Sequence, residues 1–374
     1  MSGFTVQGWC PGALRPMMSG DGLVVRVRPP LGRMTPAQAQ GLADAAMRHG
    51  NGLIDLSARG NLQLRGVSQA NHAALIADLR ALDLVDDDAQ AEARRNILVT
   101  PFANAETLAL ARALTQALRQ GPDLPGKFGF AVDTGKAPIL QDISADIRLE
   151  RDGAGGLLLR CDGMAYGLPI LPDAAAEQAV TLARWFLAQG GMRDGRGRMA
   201  ALIARGLAPQ GATAAPAAAQ RRPEPGLQPE GVLVALEFGQ MQAETLHALA
   251  GLGALRVTPW RMLLIEGARA LPRLPGLILD PADPLRRVEA CTGAPGCLQA
   301  HAPLRDLARR LAPQHKAGVL HLSGCAKGCA HPGRAAVTLV ATPAGFDLIL
   351  NGTAQDAPGQ RGLAAQDIDL KGLL

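Results

Sequence analysis

Four of the six cysteines fall in two short, glycine-rich stretches: "ACTGAPGC" carries Cys291 and Cys297, and "SGCAKGCAHPG" carries Cys325 and Cys329. Four thiols in two loops is the number that saturates an iron-sulfur cluster. Gly293, Gly296, Gly324 and Gly328 let the backbone curl tightly and turn its N–H groups toward cluster sulfurs. The C-x3-C arm also lies within the ligand spacing of a structural zinc site, although the C-x5-C arm argues against zinc. Four unrelated thiols are the third reading, opposed by the pairing and the glycine framing. Cys10, in "GWCPG", and Cys161 stand apart and read as ordinary thiols, and His331, just after the second arm, reads as a capping or core residue.

The elements that must position these loops come in two copies. "GLVVRVRPPLGRMTPAQAQGLADAAMRHGNGLIDLSARGNLQLRG" reads strand, helix, strand, strand, with Thr35 as N-cap, Pro36 at the first helical position and Gln38 closing a capping box. "GVLVALEFGQMQAETLHALAGLGALRVTPWRMLLIEG" runs through the same order. The pattern predicts a tandem α+β duplication in which each half has an open sheet edge and an uncovered face that pairing would close. A longer mixed α/β segment follows each half. The expected organisation is a first half over 1–88, a mixed domain over 89–205, an Ala/Pro-rich linker over 206–230, a second half over 231–279 and the cysteine-bearing domain over 280–374.

Length and charge narrow the function class. A chain of 374 residues has room for several units around sizeable cores. The 38 Lys and Arg against 33 Asp and Glu are scattered rather than blocked, and only 3% of residues are aromatic. That suits an anionic small molecule better than nucleic acid, and equally suits plain solubilising charge. The apolar stretch "LLIEGARALPRLPGLIL" is broken by Glu266, Arg269 and Arg273, so no membrane span is expected. The opening residues lack the basic and apolar regions of a secretory leader, and a cytoplasmic location is expected.

The cysteine spacing, the duplicated halves and "LRVTPWRMLLI" resemble the sirohaem-dependent sulfite and nitrite reductases over nearly the whole chain. Within that superfamily, "GWCPGALRPMMSGDGLVVRVRPPLGRMT", "SARGNLQLRG" and the cysteine loops are most similar to the precorrin-3B synthase branch. The resemblance implies a nitrite/sulfite reductase-like α+β fold. It also implies a 4Fe-4S cluster on Cys291, Cys297, Cys325 and Cys329, together with a mononuclear non-haem iron. The implied activity is oxygen-dependent hydroxylation of precorrin-3A at C20 with closure of a γ-lactone. The chain shows no glycine-rich dinucleotide fingerprint after a strand, so NADH-derived electrons would arrive through a separate donor. Two alternatives stay open: a sulfite or nitrite reductase carrying sirohaem, and a zinc-stabilised interaction protein.

The resemblance also assigns residues. Arg59 falls where the reductases place an arginine on the anion and macrocycle, Arg95 matches a second, and Lys127 matches the first of a lysine pair whose second member is replaced by Gly129. Ala326 and Lys327 stand where the reductases usually have Pro and Asn. A tetrapyrrole ringed by carboxylates needs several guanidinium groups, so Arg65, Arg256 and Arg261, on or beside the duplicated strands, join Arg59, Arg95 and Lys127 as candidate substrate contacts. No His-x-Asp/Glu signature marks the mononuclear iron, whose ligands stay unassigned.

Overall fold

The computed structural model describes residues 11–135 and 138–371, so Cys10 lies outside the described residues. The first half contains β1 (Met17–Ser19), β2 (Gly22–Val27), β3 (Arg33–Met34), α1 (Pro36–His49), β4 (Leu53–Leu56), β5 (Leu62–Val67) and α2 (Gln69–Ala81). The Thr35 hydroxyl accepts from the Gln38 backbone, and the Gln38 side chain accepts from the Thr35 N–H, the capping box the sequence predicts. The first mixed domain contains α3 (Ala89–Arg94), β6 (Ile97–Val99), α4 (Ala105–Arg119), β7 (Phe130–Asp133), β8 (Ile147–Arg151), β9 (Leu157–Cys161), β10 (Leu168–Pro169), α5 (Ala175–Ala188) and α6 (Met199–Ile203).

The second half contains β11 (Gly226–Gln228), β12 (Gly231–Leu236), β13 (Gln240–Gln242), α7 (Ala243–Ala250), β14 (Leu255–Val257), β15 (Met262–Glu266) and β16 (Leu277–Ile278). β17 (Val288–Ala290), α8 (Arg305–Leu311), β18 (Leu320–Ser323), β19 (Ala335–Thr342), β20 (Gly345–Gly352) and β21 (Gln360–Leu363) complete the chain.

The two halves exchange strands. The first sheet runs β1-β2-β5-β4-β13 and the second β11-β12-β15-β14-β3, so each half lends one short strand to the edge of the other's sheet. Met241 of β13 pairs with Ile54, and Met34 of β3 pairs with Leu255. The same kink makes both crossings possible. Leu31 and Gly32 take φ of 55° and 71°, and Phe238 and Gly239 take 53° and 71°. Both sheets cover one apolar core that includes Val25, Leu42, Ile54 and Leu64 with Val234, Leu246, Leu263 and Ile265. The halves therefore share one core across their exchanged strands.

The segment 206–230 also departs from a free linker. Ala214 and Pro216 form bridges with Gly167 and Asp152, Gln220 N–H donates to the Pro138 carbonyl, and Gly226–Gln228 pairs with β12. The second half thus begins near residue 226 and not at 231, because the strand before the turn supplies an edge.

The two mixed domains share a topology. β6, β7 and β8 run parallel and are followed by antiparallel β9 and β10, and β17, β18 and β19 are likewise followed by β20 and β21. Loops at the carboxyl ends of parallel strands are where open α/β sheets bind ligands, and only the second copy carries cysteines there. Leu42 is fully buried in the core shared by the halves, so Leu42→Ala should cost about 2–5 kcal/mol in chemical denaturation and weaken both sheets in one transition.

Candidate cluster-binding site

Cys291 follows β17 directly, and Cys325 lies two residues beyond β18, so two neighbouring parallel strands deliver the two arms to one end of the sheet. The loop backbone is cross-bonded: Cys291 N–H donates to the Leu322 carbonyl at 3.2 Å, and His301 N–H donates to the Gly324 carbonyl at 2.9 Å. Gly324 N–H points at Cys291 Sγ at 3.2 Å. A Cβ at Gly324 would meet Ala300 Cβ at 2.6 Å, so only glycine lets the two loops approach this closely.

Burial pushes the Cys291 thiol up, opposed by N–H donors from Gly324 and Gly293, while Cys297 and Cys325 push it further up. Burial also raises the Cys329 thiol, with Lys327 acting against it and the other three thiols adding to the rise. The four thiols therefore lie within one another's electrostatic reach. Four thiols at one end of the sheet, with backbone N–H donors aimed at Cys291, are a donor set that fits a cationic iron-sulfur core, which would favour the deprotonated form that burial resists at Cys291 and Cys329. Among the described residues no three His, Cys, Asp or Glu side chains are grouped to hold a single metal ion, so no ligand set is assigned to a mononuclear iron.

Arg65, on β5, holds this cradle to the first half. Its nearly buried guanidinium donates to Asp21 at 2.7 and 2.8 Å, to Asp55 at 3.1 Å and to the Gly296 carbonyl at 2.7 Å. Gly296, the neighbour of Cys297, also accepts from Ser19 Oγ at 2.7 Å. From Asp55 the network continues through Gln240 Nε2 at 2.6 Å, and the Gln240 carbonyl oxygen accepts from Arg305 at the start of α8. Gln240 sits on exchanged strand β13, so the strand exchange brings it to the cluster side.

The second sheet carries a related ion cluster in which two positions have their charges reversed. Register places Asp55 and Arg256 at equivalent positions, Asp55 opposite Gln63 and Arg256 opposite Leu264. By the same register Glu266 stands where Arg65 stands, but the third members are not equivalent: Asp21 precedes β2, and Arg33 comes from exchanged strand β3, whose counterpart is Gln240. Burial pushes the Glu266 carboxyl up, but hydrogen bonds from Arg33 and Arg256 outweigh it and hold it below its usual range. Arg256, expected at a substrate surface, is engaged in this ion pair instead.

The backs of the two sheets differ. Arg26, Gln63 and Arg65 line the back of the first, where the second has Leu233, Leu264 and Glu266. Leu233, Met262 and Leu264 pack against Ile139 and Leu140 of the first mixed domain. The polar back belongs to the half that touches the cysteine loop.

The remaining candidates separate. Arg59 Nη1 donates to the Lys127 backbone carbonyl at 3.2 Å, which brings these two residues to one edge, and Arg59 lines a small notch there with Asn96, Gly129 and Ser144. A Cβ at Gly129 would come within 2.6 Å of the Asn96 amide nitrogen, so Asn96 fills the space beside this glycine. Arg95 makes a two-pronged pair with Asp86 at 2.9 Å and donates to the Arg28 carbonyl at 3.0 Å. Arg261 pairs with Glu289 and donates to the Ala330 carbonyl at 3.4 Å. Ser19, Asp21, Asp55, Gln240 and Arg305 escape the sequence reading because polar residues at unrelated spacings carry no periodic signal.

His321, on β18, is fully buried and neither ring nitrogen has a partner. Burial, then His331 and Arg261, push its pKa down to about 4. A histidine held neutral below its ordinary value supports the fold above about pH 6.5 and withdraws that support as pH falls toward 4, a change of about 3 kcal/mol. Acid titration of the metal-free protein should show this loss between those values, and His321→Gln should flatten it. Arg65→Met, which strands two carboxylates, should cost about 3–5 kcal/mol by denaturant titration, and Asp21→Asn less.

A family model described as the nitrite/sulfite reductase ferredoxin-like half domain matches residues 15–82. A "Precorrin-3B synthase" of Sinorhizobium sp. is 32% identical over 94% of this chain and 84% of its own length. A "Ferredoxin--nitrite reductase" of Synechococcus elongatus is 32% identical over 33% of this chain and 26% of its own. The solved structure of the Mycobacterium tuberculosis NirA protein superposes with a TM-score of 0.59 and 17% identity, covering 90% of this chain and 76% of that one, a likeness of fold. With its duplicated halves, its two matching mixed domains and a relative aligned over most of both chains, the chain belongs to the precorrin-3B synthase family of the nitrite/sulfite reductase superfamily.

Proposed function

We propose that this protein is the monooxygenase that converts precorrin-3A to precorrin-3B in aerobic cobalamin biosynthesis. The observation that carries the reading is the four-thiol cradle at the ends of β17 and β18, in a chain that aligns with a precorrin-3B synthase over 94% of its length. One oxygen atom of O2 enters at C20 as a hydroxyl, a ring A acetate closes onto C1 as a γ-lactone, and the other oxygen atom leaves as water. Two electrons come from NADH through a separate donor protein. The 4Fe-4S cluster on Cys291, Cys297, Cys325 and Cys329 supplies one-electron transfer when bound, since a cluster whose irons all carry thiolate has no open position for oxygen. A mononuclear iron is the proposed centre of oxygen chemistry, with ligands unassigned.

The chain's own residues bind and orient the substrate. Arg59 and Lys127 stand at one edge, and their cations suit the acetate and propionate groups of a precorrin. A sulfite or nitrite reductase reading is disfavoured by Gly129, which stands in the place of a second lysine over the bound anion. The zinc reading is separated from both by metal analysis.

Anaerobically purified protein should contain iron and acid-labile sulfide without sirohaem absorption, and should turn over precorrin-3A only in air. Turnover under strict anaerobiosis, or bound sirohaem with reduction of sulfite or nitrite, would sink the proposal. Cys325→Ser and Cys329→Ser should each remove cluster absorption and activity together. Arg59→Ala should raise KM for the tetrapyrrole by about tenfold or more while leaving iron content unchanged.

A further inference from the structure

The turns that follow β4 and β14 are copies of one another. Ser57 Oγ accepts from the N–H groups of Arg59 and Asn61, and Thr258 Oγ1 accepts from those of Trp260 and Met262. Each turn needs a residue in the left-handed region, which Gly60 supplies at φ 63° and Arg261 at φ 59°. A branchless residue takes that conformation freely, and a long cationic side chain takes it only under constraint. The second copy thus holds an arginine where its duplicate holds the residue the backbone prefers.

The Arg261 side chain reaches both arms of the cradle. Its Nη1 pairs with Glu289, on β17 two residues before Cys291, and its Nη2 donates at 3.4 Å to the carbonyl of Ala330, the residue after Cys329. It runs over Gly239, whose missing Cβ would lie 2.5 Å from Arg261 Cδ and 2.9 Å from Cγ. In the first half the equivalent Gly32 has nothing closer than a carbonyl at 3.8 Å. The second half has therefore kept a glycine floor under the arginine as well as a strained turn beneath it.

We propose that Arg261 is a positioning residue that fixes the separation of the two cysteine loops and so sets how firmly the cluster is held. This rests on the cluster reading above. A lysine at the position would keep the charge but reach one loop only, because a point charge lacks the forked donor geometry that spans Glu289 and Ala330.

The test compares wild type, Arg261→Gly and Arg261→Lys, all purified anaerobically, by iron and sulfide content, by the rate at which cluster absorbance bleaches in EDTA, and by the melting temperature of the metal-free chains. Arg261→Gly restores the residue that the first copy uses, so its metal-free chain should melt at or above the wild-type temperature. Its cluster should nevertheless bleach about tenfold faster, with Arg261→Lys between the two. Wild-type bleaching rates in Arg261→Gly would overturn the proposal. So would a metal-free Arg261→Gly chain that melts well below wild type, since cluster loss would then follow general unfolding. A wild-type protein devoid of iron and sulfide would overturn the cluster reading itself, and that result is distinguishable because it precedes any substitution.

Discussion

The exchange of β3 and β13 is the constraint on which the rest of the molecule depends. Two-residue and three-residue strands contribute little pairing energy, yet each delivers one methionine, Met34 or Met241, to the shared core and turns its polar residues, Arg33 in one and Gln240 and Gln242 in the other, to the opposite face. The crossing locks the sheets at one mutual angle and so decides which back meets the cysteine loops. Gln240 can link Asp55 to Arg305 only because its strand has left its own half.

Duplication supplied two equal platforms, and the two have since diverged in polarity. The ion clusters show this most directly: the positions of Arg65 and Asp55 in one half hold Glu266 and Arg256 in the other. The arginine-centred version has donors to spare for a loop carbonyl, and it is this version that grips Gly296. Glu266, the centre of the other version, can only accept, and it takes its bonds from Arg33 and Arg256. The apolar back of the second sheet is consumed by packing against Ile139 and Leu140, leaving the polar back of the first for contact with the cysteine loop.

Much of this could be read in the chain. The cysteine pairs, their glycines, the capping box at Thr35 and the repeated strand pattern are local signals, and local signals survive without an alignment. The roles of individual arginines were less legible. Arg65 and Arg256 look alike as strand residues, but one reaches a loop 231 positions away and the other a carboxylate on its neighbouring strand. Arg95 and Arg261 likewise depend on which carboxylate the fold brings near, Asp86 or Glu289, and pairing at such distances leaves no trace in spacing. Segment 206–230 misled for the opposite reason. Its composition cannot build a core, but a chain with no core of its own can still be tied down along someone else's edge.

Strand exchange also has a consequence in time. The sheet of the first half is incomplete until Gln240–Gln242 has been made, and β3 has no partner until Leu255–Val257 exists. A ribosome therefore extrudes well over half of the protein before its first sheet can close, and the emerging chain must carry an unpaired edge and an uncovered apolar face throughout. Production of the protein should accordingly depend more on elongation rate and on the supply of chaperones than its finished stability would suggest.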